Sequence, residues 1–406
     1  MRILLGHNSL YYPAHGGGDK SNRLLMEALA ARGHNCRVVS RLNSFEPAGH
    51  HRLLADLVAR SVAISPSEGV VRFQLHGAEV HTVTTNPNIR AYFAAQINEF
   101  APDVILVSTD DPAQLLISAA LSSQARVVYL ARATLAVPFG PDCAFPSDSK
   151  TAVLRQVDGI VGVSQYVADY IRKWSGIEAV SLPISLQDAG PYPELGRIQN
   201  PYVTFVNPCA VKGISIFLAL AERMRGTGFA AVPTWGTNST DLAALRAHAN
   251  IRLLDPVDNI DDLLRLTRVL LVPSLWAEAR SRIVVEAMLR GVPVIASNVG
   301  GIPEAKMGVD YLLPVRPIEK YQERLDEHMV PVADVPQQDI APWESALTRL
   351  ITDPEHYARI SSESRAAALE YAESISVAPF ESLLERILSS PAKPRRHAWP
   401  WLQSRP

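Results

Sequence analysis

The sequence predicts an α/β protein built from two doubly wound domains, each around a mainly parallel sheet. Two observations carry this. Short apolar runs alternate with amphipathic stretches along most of the chain, the pattern of repeated β-α units. That pattern stops at residues 183–201, PISLQDAGPYPELGRIQNP, where four prolines and few aliphatics interrupt it, and then restarts. A length of 406 residues suits two domains, and 47% hydrophobic residues can bury two cores. The expected division is a first domain at 1–185, a linker at 186–201 and a second domain at 202–372. A helix at 373–390 is expected to return to the first domain, followed by a flexible tail at 391–406 with four prolines.

The elements follow in order. Strands are expected at 2–6, 36–40, 104–107, 127–130, 160–163 and 179–182. Helices are expected at 21–32, 89–100, 112–122 and 165–174, with Gly33 closing the first. Residues 70–84 (VVRFQLHGAEVHTVT) alternate instead and read as a hairpin turning near His76-Gly77. The second series has strands at 203–206, 230–232, 251–254 and 269–272, and helices at 214–224, 241–249 and 260–266. Residues 314–342 read as an irregular insertion before helices at 343–351, 356–371 and 379–388. In doubly wound sheets ligands bind beyond the carboxyl ends of strands, so a cleft between the domains is the expected site.

Composition excludes several classes. A net charge of −2 offers no general attraction to nucleic acid or anionic lipid. No apolar run approaches the ~20 residues of a membrane span, and MRILLGHNS reads as a first buried strand rather than a leader. Three scattered cysteines without metal-ligand spacing indicate reduced thiols and a cytoplasmic location.

The chemistry concentrates in residues 271–304, LVPSLWAEARSRIVVEAMLRGVPVIASNVGGIPE. Glu278 and Glu286 are separated by seven residues. With Ser281 as N-cap, Glu278 lies in the loop and Glu286 in the helix. Eight helical residues rise roughly 12 Å, too far for a paired acid and base but suited to the two ends of a nucleotide-sugar. The helix start between them favours a diphosphate through its amides and dipole. The competing reading is a surface i,i+4 ion pair between Arg282 and Glu286, with Glu278 a solvated loop charge. Gly16-Gly17-Gly18, between the first strand and helix, would let a backbone approach an anion, although it is not G-x-G-x-x-G.

These segments resemble the retaining family-4 glycosyltransferases of GT-B fold. The matching residues are Pro273-Ser274, Glu278, Arg282, Glu286-Ala287-Met288, Gly291-Val292-Pro293-Val294 and Gly300-Gly301-Ile302-Pro303-Glu304. Gly16-Gly17-Gly18, Asp158–Ser164, Phe205-Val206-Asn207-Pro208, Lys212-Gly213 and Asn250–Leu254 extend the resemblance over most of the chain. It implies two Rossmann-like domains facing across a cleft, with C-terminal helices packing back. It gives Glu278 contact with the donor sugar, Glu286 the ribose hydroxyls, and Lys212, with Arg282, the departing diphosphate. Ser281, Ile283, Asn207, Gly17 and Gly18 join the donor set. Arg132, standing where relatives often carry a histidine, and His15 are the acceptor-side candidates. The arginine that often precedes the lysine in relatives is missing from Phe205–Val211.

The resemblance implies a hexosyltransferase using a nucleoside-diphosphate sugar, with no metal and no other cofactor. Residues 1–185 carry 16 Lys+Arg and 15 Asp+Glu, a balance that favours a soluble small-molecule or glycan acceptor over a membrane lipid. No nucleic-acid partner and no stable membrane insertion are expected, and a homodimer remains open. A sugar-nucleotide epimerase and a non-catalytic nucleotide-sugar-binding protein are the alternatives of the same fold.

Overall fold

Strand β1 (Arg2–Gly6) buries its last four residues, which requires a sheet covered on both faces. In the computed structural model, which describes residues 1–14, 16–42, 47–84 and 88–395, β1 is the central strand of the first of two compact units. Unit 1 comprises Met1–Leu186 and Ser376–Pro406, and unit 2 comprises Gln187–Ile375.

In unit 1 the chain continues through α1 (Gly17–Ala31), β2 (Asn35–Arg41), α2 (Pro47–Ala59), β3 (Ile64–Ser67), β4 (Val70–Leu75), β5 (Ala78–Val83) and α3 (Ile89–Phe100). Then come β6 (Val104–Ser108), α4 (Leu115–Leu121), β7 (Arg126–Ala131), α5 (Asp148–Leu154), β8 (Gly159–Gly162), α6 (Gln165–Ser175) and β9 (Val180–Ser181). The sheet order is β3-β4-β5-β2-β1-β6-β7-β8-β9. Pairing is parallel except for β3-β4 and β4-β5. The 70–84 hairpin forms as expected, and its second strand joins the parallel sheet beside β2. Strand β3 was not anticipated, because ISPS carries a proline and no alternating pattern.

Unit 2 runs through β10 (Tyr202–Val206), a 3-10 turn at Ala210–Lys212, α7 (Ile214–Arg223), β11 (Phe229–Val232), α8 (Ser239–Arg246), β12 (Ile251–Leu253) and α9 (Ile260–Leu264). It continues with β13 (Thr267–Val272), α10 (Arg282–Leu289), β14 (Val294–Ser297), α11 (Ile302–Lys306) and β15 (Leu312–Leu313). All pairs in its sheet, β12-β11-β10-β13-β14-β15, are parallel. Val269 and Leu271 enter one core with Phe205, Phe217 and Trp343, while Leu270 and Val272 enter the other with Met288 and Val294. That two-sided burial explains the unbroken apolar run VLLV at 269–272.

The stretch 314–342 is not wholly irregular. It holds an antiparallel hairpin, β16 (Tyr321–Leu325) and β17 (Pro331–Ala333). Its strands are half-buried to exposed, so no hydrophobic period marked them in the sequence. Helices α12 (Ala341–Thr352) and α13 (Pro354–Ser374) complete unit 2. Helix α14 (Ala378–Ser389) belongs to unit 1, where Glu381 pairs with His34 at 2.7 Å and with Arg32. Arg395, in the stretch expected to be a loose tail, donates to the Ala125 carbonyl at 2.6 Å and to Asp158 at 2.9 Å.

Candidate functional site

The polar residues of unit 2 gather where β10 and β13 end. Asn207, at φ 60°, donates its amide to Val232 O and accepts from the Gly236 N–H on Oδ1, both at 2.9 Å. It thereby ties the end of β10 to the loop after β11. The chain then passes through the 3-10 turn and Gly213, at φ 85°, into α7. A Cβ on Gly213 would stand 1.9 Å from the Pro273 carbonyl oxygen, so only glycine lets this turn lie against the end of β13. Leu275 N and Trp276 N donate to Val211 O at 2.9 and 3.2 Å, fixing the register of the two loops.

This packing brings Lys212 to Glu278. Lys212 Nζ donates to Glu278 Oε1 at 2.5 Å, and Ser274 Oγ donates to the same oxygen at 2.6 Å. Glu278 is almost fully buried, while the Lys212 side chain keeps 19% of its surface exposed. Burial alone would raise the Glu278 pKa. The Lys212 charge, with hydrogen bonds from Lys212 and Ser274, outweighs it and holds the carboxyl below its ordinary value. Lys212 Nζ also lies 4.9 Å from the centre of the Trp276 ring, which sits beside Trp235. The Glu278 backbone is clamped from the other side. Gly301 N donates to Glu278 O at 2.6 Å, and a Cβ on Gly300 would stand 2.3 Å from that oxygen.

Helix α10 begins just beyond. Ser281 is its N-cap as expected, but sits at φ 60° and its hydroxyl makes no capping bond. The positive end of the helix dipole is therefore unopposed by a side-chain cap. Lys212, Ser274, Glu278, Ser281 and Ile283 line a niche of about 30 Å³. That is room for a water-sized group such as one phosphate oxygen. Arg282, the first residue of the helix, donates from Nε to Glu286 Oε1, one turn on, at 2.9 Å. The i,i+4 pair of the competing reading is thus present, but both members are buried. Neither it nor Glu278 belongs to a solvated surface.

In unit 1 the residues after β1, β6 and β7 meet in a second cluster. His7, fully buried, has Nε2 at 3.1 Å from Asp19 Oδ1 and Nδ1 at 3.0 Å from Asp110 Oδ2. Burial would lower its pKa, but Asp110 and then Asp19 outweigh it and carry it up to about 10, which favours the protonated ring. Asn22 Nδ2 stands 3.2 Å from His7 Nδ1, and Asn22 Oδ1 accepts from Arg132 Nε at 2.6 Å. Arg132 also reaches the Ile184 carbonyl at 3.4 Å.

Gly17 and Gly18 are not loop residues. They form the first turn of α1, because Asp19 accepts from Gly16 N at 3.0 Å and from Ser9 Oγ at 2.6 Å, allowing the helix to start early. His15 lies outside the described residues. The structure thus brings Lys212, Glu278, Ser281 and Ile283 together, with Arg282 and Glu286 on the same helix. It ties Arg132 into a separate cluster in unit 1. Sequence reasoning missed Trp276, Trp235 and the His7–Asp19–Asp110 set. For the last, the available signal was position: His7 and Asp110 follow the ends of two strands that become neighbours in the sheet.

Among the described residues, no helix is long and apolar enough to cross a membrane. No group of three or more His, Cys, Asp or Glu among them could hold a metal ion.

Residues 200–329, the part that holds Lys212, Glu278 and Glu286, match the family model described as Glycosyl transferases group 1. Over 339 residues the chain is 24% identical to an uncharacterised 42.6 kDa protein of the cps region of Klebsiella pneumoniae, covering 75% of this chain and 87% of that protein. Among solved structures it resembles a sucrose-phosphate synthase from Thermosynechococcus elongatus, with TM-score 0.68 and 17% identity over 96% of this chain and 100% of the other. It resembles Anabaena HepE in complex with UDP-glucose, with TM-score 0.63 and 15% identity over 96% and 100%. It also resembles the catalytic domain of Arabidopsis thaliana starch synthase IV bound to ADP and acarbose, with TM-score 0.61 and 12% identity over 96% and 99%. The fold is GT-B, with two Rossmann-like units, and the group 1 match supports glycosyl transfer.

Proposed function

We propose that unit 2 binds a nucleoside-diphosphate hexose and that the protein transfers the hexose to a hydroxyl of a small-molecule or glycan acceptor, retaining the anomeric configuration. The observation that carries this reading is the Lys212–Glu278 pair at the niche opening α10, inside the stretch that matches group 1 glycosyl transferases. A diphosphate oxygen in the niche would meet Lys212, the Ser281 hydroxyl and the positive end of the helix. Glu278 contacts the sugar and Glu286 the ribose hydroxyls, with Arg282 orienting Glu286. Asn207 holds the neighbouring loops, and Gly17, Gly18 and Arg132 are the candidates in unit 1.

In the reaction the bond from C1 to the diphosphate oxygen breaks and the bond from C1 to the acceptor oxygen forms. The acceptor proton passes to the leaving phosphate oxygen. Lys212 gains most when charge develops on that oxygen, so its stabilisation is differential. In this reading the ammonium and the helix dipole supply the positive charge, and the reaction proceeds in the cytoplasm without a metal.

Thermal-shift measurements with UDP-, GDP-, ADP- and dTDP-sugars test the donor. One nucleotide class should raise the unfolding temperature, and Glu286→Ala should remove that rise. Turnover of that donor with added EDTA, and the anomeric configuration of the product by NMR, then test metal independence and retention. Absence of a shift with every donor would sink the reading.

A further inference from the structure

Lys212 serves two neighbours at once. Its Nζ is 2.5 Å from Glu278 Oε1 and 4.9 Å from the centre of the Trp276 ring, so the ammonium stands against both carboxylate and indole. Ser274 Oγ donates to the same Oε1 at 2.6 Å, which puts both of these bonds on one carboxylate oxygen. When Lys212 turns to a diphosphate oxygen, as in the proposed function, Glu278 keeps Ser274 and gives up its cation. Glu278 is only 7% exposed, so water cannot replace the ammonium, and a buried carboxylate stripped of its partner is strongly disfavoured. Another donor has to take that place.

One stands beside it. The Trp276 indole N–H is buried and finds no acceptor among the described residues. A buried indole N–H ordinarily has a partner, and it can only donate. Trp276 lies two residues before Glu278. Behind the larger effects of burial and of Lys212, it helps to hold the Glu278 carboxyl below its ordinary value. Its backbone is tied to the turn that carries Lys212, because Trp276 N donates to the Val211 carbonyl at 3.2 Å. The preceding carbonyl, that of Leu275, accepts from Ile318 N at 2.8 Å, and the Trp235 ring packs 6.3 Å from the Trp276 ring. The indole is therefore kept near Glu278 whichever way Lys212 points.

We propose that Trp276 is a positioning residue: as Lys212 leaves for the diphosphate, the indole N–H takes over the Glu278 carboxylate and keeps it fixed beside the hexose. This rests on the donor reading of unit 2, in which Lys212 changes partners. A hydrogen bond to the ionised form favours that form, so Glu278 stays an acceptor on both oxygens for hydroxyls of the sugar.

Indole N–H resonances of the full chain test the exchange without a sugar donor. Six tryptophans give six resonances, and the one missing from Trp276→Phe, or from Trp276→Tyr where that variant does not fold, belongs to Trp276. In Lys212→Met it should move downfield, as an N–H does on bonding a carboxylate. Should Lys212→Met not fold, the same shift on adding inorganic pyrophosphate to the parent replaces it. Trp276→Phe keeps a ring for Lys212 and loses the N–H. Its kcat should fall roughly tenfold or more, the loss of one hydrogen bond to a charged group, with donor KM little changed. The acid limb of its kcat profile should move to higher pH, because the bound-state carboxyl loses a bond that favours ionisation. A packing role alone would leave that limb in place. An unmoved indole resonance, or an acid limb identical to the parent's, would overturn the proposal. So would a raised donor KM with an unmoved limb, which would put the N–H on the sugar instead. A downfield shift in Lys212→Met, with no thermal shift by any nucleotide-sugar, would count against the proposed function alone.

Discussion

The two units bury charge in the same kind of place and to different ends. In unit 1, His7 sits between Asp19 and Asp110, and Asn22 links this set to Arg132. In unit 2, Lys212 faces one carboxylate and keeps part of its surface in solvent. A fully buried cation with two anionic partners cannot leave them without stranding both. A partly exposed cation with one partner can turn to an incoming phosphate, since the Coulomb gain there replaces the one it gives up. The first arrangement holds its charges in place, and the second leaves its cation able to change partners.

The largest test of this contrast is Asp110→Asn. Removing one member of a buried ion pair costs about 3–5 kcal/mol. Denaturant unfolding should show that loss, with donor binding at unit 2 unchanged. Lys212→Ala should lower turnover about 10²–10³-fold, as loss of one charge-stabilising donor does. Loss of turnover in Asp110→Asn without loss of stability would reverse the two roles. Glu286→Ala removes hydrogen bonds to a charged group, worth about 1.5–3 kcal/mol, so donor Kd should rise roughly 10- to 100-fold by calorimetry.

Another test concerns pH and a second buried cation. Lys306 in unit 2 is fully buried, and its Nζ donates to the Val294 carbonyl at 2.8 Å. Burial brings its pKa down to about 7 from 10.5. Between those values the unfolded chain binds the extra proton, so this contribution to stability rises with pH, and its full cost applies below about 7. For His7, raised from 6.5 to about 10, the sign is opposite: its stabilisation is complete below 6.5 and is lost as pH climbs toward 10. Each ionisation changes stability by at most about 1.4 kcal/mol per pH unit. Unfolding curves from pH 7 to 10 should therefore rise more steeply for His7→Gln than for the parent, and less steeply for Lys306→Met. Parallel curves for all three would show that neither group titrates as described.

The same contrast explains what could be read in advance. Glu278, Arg282 and Glu286 share a nine-residue stretch whose strand-loop-helix pattern fixes their relation, so spacing singled them out, while the roles expected of them came from the family resemblance. The unit 1 cluster draws on β1, α1 and the ends of β6 and β7, which meet only once the strand order is known. The 70–84 hairpin was legible because its alternation is strict, whereas β16 and β17, with little buried surface, left no pattern. Gly16-Gly17-Gly18 looked like a loop because glycine disfavours helix, and Asp19 overrode that propensity through tertiary bonds.

Unit 1 is not finished where its sheet ends. Its last helix, α14, arrives after the whole of unit 2, and supplies Glu381 to His34 and Ile387 to the space beside Gly159. On the ribosome, unit 2 emerges as one uninterrupted stretch, while the sheet of unit 1 must wait for residues made about 190 positions later. A chain cut at residue 375 should therefore leave unit 1, the earlier-made half, as the more protease-sensitive one.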